Sequence, residues 1–276
     1  MKIQPDAWIG RQEIRTERVE REPFRRLRAM LNQDPDESVD VLPPLGHWLC
    51  FLPDARQSAL GPDGHPGNGN FLPDFGLPMR MWAGSRLTYS HPIRIGEDIT
   101  RTSTLVSVEE KTGRTGPLAF VTVRNELRAG DQGRLTEELD IVFRDRSGQG
   151  RLPPGEPKSP GETVRTVQPE TSLLFRYSAL TFNSHRIHYD RDYAVKEEGY
   201  PGLVVHGPLL ATLLMDHFIS AKPGETIRTF EFRARRPIFD QAPFTLHLTS
   251  TSQGAELWAA GPDQCPAMTA EVTTCR

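Results

Sequence analysis

The spacing of hydrophobic and polar positions changes several times along the chain. Within residues 8–31 the apolar positions follow helical spacing among alternating arginine and glutamate, which predicts one or two exposed helices. Pro23 suits the first residue of the second helix, where its missing N–H is not needed. Residues 43–78 are rich in proline and glycine, so we predict a long covering loop with little regular structure.

The sequence pattern after Trp82 is typical of β-strands, because apolar and β-branched residues alternate or cluster between glycine-containing turns. We predict four antiparallel strands at 86–95, 101–108, 118–128 and 135–144. Residues 147–162 have few apolar side chains to bury and form a linker rich in proline and glycine. The chain therefore divides into an N-terminal part (1–146) and a C-terminal part (163–276).

An apolar run at 208–219 of the C-terminal part predicts a buried helix, and the strand pattern recurs after it. Strands are predicted at 226–235, 244–251, 256–260 and 268–274. His91-Pro-Ile93 and Arg236-Pro-Ile238 both stand at the end of a strand, just before a turn. This match suggests an internal duplication and an α+β fold with segregated elements, in which an antiparallel sheet wraps around a helix twice.

Composition narrows the possible partners and the compartment. The 276 residues suffice for one large or two modest domains, and 33 basic against 36 acidic side chains give a formal net charge of −3. This balance offers no reason to expect nucleic acid or an anionic membrane as partner. The apolar tract 202–219 contains His206, Asp216 and His217, which exclude a membrane span. Three unpatterned cysteines and no leader-like first segment favour the cytoplasm.

Three familiar motifs are absent or incomplete. The glycine cluster at 61–70 lacks the Gly-Lys-Ser/Thr ending of a phosphate-binding loop, and no Gly-x-Ser-x-Gly elbow for a serine hydrolase occurs. His185, His188 and Asp190 have no His-Glu-x-x-His pattern or cysteine pair beside them. We therefore predict no metal site.

Four polar side chains lie together between an apolar run and the buried helix: Asn183, His185, Arg186 and His188. Unpaired polar groups in such a place cost of order 1–3 kcal/mol each. One interpretation is that they bond to loop backbone and to Asp190. The other is an active site, in which a neutral histidine acts as general base on a water that Asn183 orients.

The start of the buried helix supplies a second feature. His206-Gly207-Pro208 opens it, and the N–H groups of a first helical turn point outward at the positive end of the dipole. Pro208 has no N–H, so Gly207 is the natural donor to an oxyanion, and glycine lets a carbonyl approach closely. An ordinary helix cap is the alternative.

These residues resemble the MaoC-like hydratases and dehydratases of the hot-dog fold, which act on acyl thioesters. The family signature Ser-Gly-Asp-x-Asn-Pro-x-His-x-Asp is similar to residues 181–190, and its Gly-x-x-x-His-Gly element to residues 202–207. The resemblance implies that His188 is the catalytic histidine and that Gly207 is the oxyanion donor.

Two positions depart from the signature, because Asn183 replaces its aspartate and His185 replaces its asparagine. Asn183 holds a water but exchanges no proton, so His185 either takes the acid's role or points away. The altered pattern resembles the branch of mesaconyl-CoA hydratases and type-two 3-hydroxyacyl-thioester dehydratases. Residues 47–53, 61–66 and 77–84 resemble the first hot-dog repeat of the same branch. That branch implies a double hot-dog fold and a hydro-lyase that needs no metal or redox cofactor.

Further roles follow from the resemblance as expectations. His185, Arg186, His206 and Trp82 are predicted to bind substrate: Arg186 pairs with a substrate carboxylate unless it is a surface residue, and Trp82 covers the pantetheine arm unless it is core. The partner is an acyl-CoA or acyl-carrier thioester. A thioesterase and a non-catalytic acyl-thioester binder are the alternatives. Exposed sheet edges favour a homodimer.

Overall fold

The computed structural model describes residues 4–34, 40–67, 71–113, 116–145 and 155–275. Ten strands form one sheet, in which neighbouring strands run antiparallel. The strands are β1 (Gln12–Arg18), β2 (Met79–Tyr89), β3 (Asp98–Gly113), β4 (Gly116–Ala129), β5 (Gln132–Arg144), β6 (Thr163–Val167), β7 (Ile227–Ala234), β8 (Phe244–Thr251), β9 (Gly254–Ala260) and β10 (Pro266–Thr274). The helices are α1 (Glu22–Met30), α2 (Thr171–Leu180) and α3 (Gly207–Ala221).

The strand order shows the duplication directly. The sheet runs β1-β3-β4-β5-β2 and continues β7-β10-β9-β8-β6, so each half has the same order, read outward from the central β2–β7 pair. That pair joins the halves from Gly84 opposite Arg233 to Thr88 opposite Thr229. The predicted α+β double hot dog is therefore confirmed.

The corner after the central strand of each half is also repeated. In the N-terminal half the Leu42 N–H donates to the Ile93 carbonyl over 2.9 Å, and in the C-terminal half the Val205 N–H donates to Ile238 over 2.8 Å. Both acceptors belong to the x-Pro-Ile motif of the sequence. In each half the motif thus follows the central strand and hydrogen-bonds to the segment that leads into the 3-10 turn or helix at the centre of that half.

The two halves differ at that centre. Helix α3 is apolar around most of its circumference, and its residues from Leu209 to Phe218 are buried, as expected for a helix that a sheet surrounds. The corresponding stretch of the N-terminal half is the single 3-10 turn Gly46–Leu49, followed by the covering segment that leads to β2. A cavity opens beside this turn.

Several local predictions were wrong. Residues 12–18 form strand β1 rather than a helix, because they pair along their whole length with β3, from Gln12 opposite Thr104 to Arg18 opposite Asp98. Helix α1 begins at Glu22, so Pro23 is its second residue. Strand β2 lies earlier than 86–95, since residues from Met79 onward pair with β5 and Ile93 belongs to the corner.

Two elements were not predicted at all: the short edge strand β6 and helix α2. Helix α2 packs against α1 from the other half. Of the predicted linker, residues 147–154 lie outside the described residues, and 155–162 contain no regular element before β6. None of the helices in the described ranges is both long and apolar enough to cross a membrane.

Candidate active site

A cavity of about 940 Å³ receives residues from both halves of the chain. Of the residues predicted for the site, His188, Asn183, Gly207, His185 and Trp82 line it. The N-terminal half contributes further polar and aromatic side chains: His47, Trp48, His65, Arg80, Arg101 and Glu137. The polar segment between α2 and α3 therefore faces a chamber that the first half covers.

His188 ends the 3-10 turn Arg186–His188, which lies against the segment preceding α3. The Val204 N–H donates to the Ile187 carbonyl over 2.9 Å, and His188 Nδ1 lies 2.7 Å from the Val204 carbonyl oxygen. This contact makes Nδ1 the protonated nitrogen and leaves Nε2 as an acceptor. Burial, followed by the nearby His185, lowers the pKa of His188 to about 3. His188 is thus a neutral base at physiological pH.

His206 lies behind His188 rather than in the cavity. Its ring stacks on that of His188 with centroids 3.7 Å apart, and its Nε2 lies 2.8 Å from Ser178 Oγ. The side chain is fully buried, because the residue that precedes α3 turns toward α2. The structure therefore places His206 outside the lining of the cavity, where its ring supports that of His188.

Asn183 follows α2 and closes the turn before His185. Its Oδ1 accepts the His185 backbone N–H over 3.0 Å, and its own N–H donates to the Ser178 carbonyl over 2.8 Å. With one lone pair of Oδ1 used in this turn, the amide NH₂ is the group available to a water in the cavity. Asn183 can therefore donate to the oxygen of a water whose proton points to His188 Nε2.

His185 contacts a segment of the N-terminal half that the sequence pattern did not connect with the site. Its ring centroid lies 4.1 Å from that of His65 and 5.4 Å from that of His188. Burial, followed by the His65 charge, lowers the pKa of His185 to about 3. His185 is therefore a second neutral imidazole at the site.

The segment that carries His65, residues 61–66, is fastened to the polar segment by backbone contacts. The Arg186 N–H donates to the Asp63 carbonyl over 2.8 Å, and Ser184 Oγ donates to the Gly64 carbonyl over 2.5 Å. The Asp63 carboxylate in turn accepts the His65 N–H over 3.0 Å. Burial opposes ionisation of Asp63, but its hydrogen bonds from His65 lower its pKa to about 2.

Asp63, His65 and His185 are the described residues whose possible metal-ligand atoms lie together, within 4.8 Å of one another. The two imidazole rings lie at only 35° to each other, so they stack rather than converge on one point. Asp63 already bonds to His65. The arrangement therefore suits support of His185 better than coordination of a cation.

Gly207 begins α3 and lines the cavity. A Cβ added there would meet nothing within 4 Å, so the backbone is open to a ligand. Among the described backbone contacts the Gly207 N–H has no carbonyl partner. It is the kind of free donor at a helix start that stabilises an oxyanion.

Of the two remaining residues predicted to bind substrate, Trp82 lines the cavity and Arg186 does not. The Trp82 ring lines the cavity and packs on Trp48 at 4.9 Å between centroids. Arg186, in contrast, does not line the cavity: it is paired with Asp190 at 2.8 Å and lies over the Tyr193 ring at 4.2 Å. Its four-residue spacing from Asp190 lets the two side chains meet, so the predicted binding of a substrate carboxylate by Arg186 would require this pair to open.

Sequence reasoning missed His65, Asp63 and Arg80. All three stand in stretches that resemble the first hot-dog repeat of the family branch, 61–66 and 77–84, but none of them was assigned to the site. The available signal was the polar content of residues 61–66: a histidine and an aspartate among glycines and prolines.

Comparison with known proteins agrees with this geometry. The chain is 45% identical over 274 residues to the mesaconyl-C(4)-CoA hydratase of Chloroflexus aurantiacus, and the match covers 96% of each chain. A MaoC-like dehydratase of Phytophthora capsici superposes with a TM-score of 0.74 at 13% identity, covering 99% of this chain and 98% of that one. A double hot-dog protein of Mycobacterium tuberculosis superposes with a TM-score of 0.55 at 12% identity, over 96% of each chain.

Fold and relatives together define a double hot-dog enzyme of the MaoC-like class, a hydro-lyase of acyl thioesters. The chain belongs to the hydroxyacyl-thioester dehydratase type 2 family, whose model matches residues 45–240.

Proposed function

We propose that the enzyme adds water to mesaconyl-C4-CoA or a closely related short-chain enoyl thioester of coenzyme A. The observation that carries this proposal is one cavity holding a neutral histidine, an amide and a free helix-start N–H: His188, Asn183 and Gly207. The 45% identity to a mesaconyl-C(4)-CoA hydratase supports the choice of substrate.

The reaction begins with a water held between Asn183 and His188. As His188 Nε2 takes one proton of the water, the water oxygen forms a bond to the β-carbon. The π electrons of the Cα=Cβ bond then form a double bond between the α-carbon and the carbonyl carbon, and the carbonyl π pair moves onto the thioester oxygen. The imidazolium keeps its Nδ1 proton on the Val204 carbonyl. His188 Nε2 then gives its proton to the α-carbon, which completes the hydration and returns His188 to its neutral form.

Gly207 stabilises the enolate that forms between these steps. Its N–H lies at the first residue of α3, where the helix dipole is positive and favours the negative oxygen. A preorganised donor of this kind lowers the barrier by about 3 kcal/mol. In the reverse direction the same groups dehydrate a 3-hydroxyacyl thioester.

The wider setting is part of the proposal. The mechanism needs no metal or redox cofactor, because every proton and charge moves between substrate, water and these side chains. We place the enzyme in the cytoplasm, as its cysteine content suggests. We also expect a homodimer, since β1 and β6 end the sheet with an unpaired edge among the described strands.

A direct assay tests the activity. The purified enzyme is incubated with mesaconyl-CoA and with crotonyl-CoA while the ultraviolet absorbance of the conjugated thioester and the free thiol are both followed. We expect loss of absorbance without thiol release, and at least a hundredfold loss of rate in His188→Ala. His91→Ala, which removes an exposed histidine, is the matched control.

The other outcomes contradict the proposal in distinct ways. Thiol release that depends on His188 would identify a thioesterase, and binding of both thioesters with no chemical change would identify an acyl-thioester binder. Equal rates in His188→Ala and His91→Ala would remove His188 from the mechanism.

A further inference from the structure

Arg80 places a positive charge in the cavity without a partner to neutralise it. It is the second residue of β2, lies opposite Phe143 of β5 and lines the chamber. Its guanidinium has no hydrogen bond or ion pair with any described residue, although burial lowers its pKa. Burying a charged group is costly unless the group is paired within the protein or binds a ligand of opposite charge.

Four other arginines line the cavity. Arg236 pairs with Asp263 at 2.7 Å, and Arg144 hydrogen-bonds to Tyr200. Arg101 has no hydrogen-bond partner at its buried Nε, but it lies over the Phe51 ring at 4.8 Å in the field of the carboxylates of Glu13 and Glu137. Arg235 is exposed.

The acid whose charge acts on Arg80 is Asp63, and its carboxylate already accepts the hydrogen bonds of His65. Arg80 is therefore a buried cavity arginine whose nearby carboxylate is already engaged, and a ligand anion would complete its surroundings.

The position of Arg80 relates this charge to the reaction. The Arg80 charge contributes to lowering the pKa of His185, whose ring lies 5.4 Å from that of His188. Arg80 and His185 therefore line the same cavity and lie near enough for their charges to interact. In a mesaconyl thioester formed at C4, the free carboxylate is bonded to the carbon that receives the water. A substrate placed with that carbon near His188 brings its carboxylate into this region.

We infer that Arg80 binds the free carboxylate of the substrate and selects short dicarboxylic monothioesters over monocarboxylic acyl thioesters. The inference rests on the proposed function, and it gives Arg80 the role that the sequence pattern suggested for Arg186. The planar guanidinium binds both carboxylate oxygens at once, which also orients the double bond toward the water.

Binding of saturated thioesters tests this selection without relying on turnover. Dissociation constants of succinyl-CoA and butyryl-CoA, which differ by one carboxylate, are measured by calorimetry for wild type, Arg80→Met, Arg80→Lys and the matched cavity control Arg101→Met. We expect wild type and Arg101→Met to prefer succinyl-CoA, and Arg80→Met to reduce that preference about 30-fold or more. Arg80→Lys should retain part of it, since the charge remains without the fork.

The kinetic counterpart is the ratio of kcat/KM for mesaconyl-CoA to that for crotonyl-CoA, which should fall with Arg80→Met in parallel. No succinyl preference in wild type, or a preference that Arg80→Met keeps or Arg101→Met removes, would overturn the inference. If wild type prefers succinyl-CoA through Arg80 but hydrates neither enoyl thioester, the binding role stands and the proposed reaction fails.

Discussion

At the scale of single residues, the exchange of an aspartate for Asn183 concentrates the acid–base chemistry on histidine. His188 has its protonated Nδ1 tied to a backbone carbonyl and its face covered by His206. Asn183 has its carbonyl tied to the turn. Each side chain is thus held by one atom and presents the other to the cavity, which fixes the roles of base and water donor.

Gly207→Ala tests the oxyanion role without disturbing the fold. The added Cβ meets no protein atom within 4 Å, so the free energy of unfolding should stay within about 0.5 kcal/mol of wild type. The methyl group stands where the thioester oxygen must approach the N–H, and kcat/KM should fall about tenfold or more. Urea unfolding and steady-state kinetics measure the two effects. Full activity in this variant would mean that the substrate oxygen lies elsewhere.

The residues that could be predicted for the site are those near one another in sequence. His188 and Gly207 stand in neighbouring segments, and their polar character between apolar elements is visible without a structure. Arg186 and His206 lie outside the cavity lining, because side-chain direction depends on the turns that hold them. Arg80 and His65 belong to the other half, and contacts over a hundred residues leave no periodic signal in one sequence.

At the scale of elements, the regular pattern of the sheet was predictable and its edges were not. Strands β3 to β5 and β7 to β10 alternate apolar and polar residues because one face is buried, and all seven were predicted with small shifts of their ends. Strand β1 is largely exposed, so pairing with β3 rather than its own side chains decides its conformation. Helix α1 was predicted correctly in type because Phe24, Leu27 and Met30 mark a single buried face.

The docking of residues 61–66 on the polar segment depends on Gly64. Its φ is +84°, and an added Cβ would lie 2.0 Å from the Ser184 carbonyl oxygen. Gly64→Ala must therefore push the segment off Ser184 and displace His65 from His185. We expect kcat/KM to fall at least about tenfold, with a cost of order 1–3 kcal/mol in backbone strain.

Gly67→Ala is the matched control for this prediction, because its Cβ would meet nothing within 4 Å and its φ is ordinary. Steady-state kinetics and thermal unfolding are measured for both variants. A loss confined to Gly64→Ala would come from displacement of residues 61–66 rather than from a general effect of alanine in this loop. Equal loss of activity in the two variants, or no loss in Gly64→Ala, would contradict a contribution of the docked segment to catalysis.

At the scale of the whole molecule, the duplication explains how one chain builds an asymmetric chamber. Both halves keep the strand order and the corner after their central strand, but α3 fills the C-terminal half while the first half has only a short turn at the matching place. The C-terminal half thus supplies the groups that we propose to be catalytic, and the first half supplies a wall of the cavity with Arg80 and His65.

The buried histidines of this cavity should make the folded protein less stable in acid. His185, His188 and His206 are buried with lowered pKa values, about 3 for the first two, whereas an unfolded histidine titrates near 6.5. Below pH 6.5 the unfolded chain therefore binds protons that the folded protein does not, and the free energy of unfolding falls as the pH falls through this window. At pH 5 each such histidine costs about 2 kcal/mol relative to pH 7.5.

Urea unfolding of wild type and His188→Gln at pH 7.5, 6 and 5 measures this cost. The variant should lose about 2 kcal/mol less stability than wild type between pH 7.5 and pH 5, because one neutral imidazole is gone. Ionised carboxylates such as Asp63, with its pKa near 2, lose their contribution only below the ordinary range of aspartate, so the two effects separate by pH. A free energy of unfolding that stays constant from pH 7.5 to 5 would mean that the buried histidines take up protons without unfolding. The neutral base assigned to His188 would then need another origin.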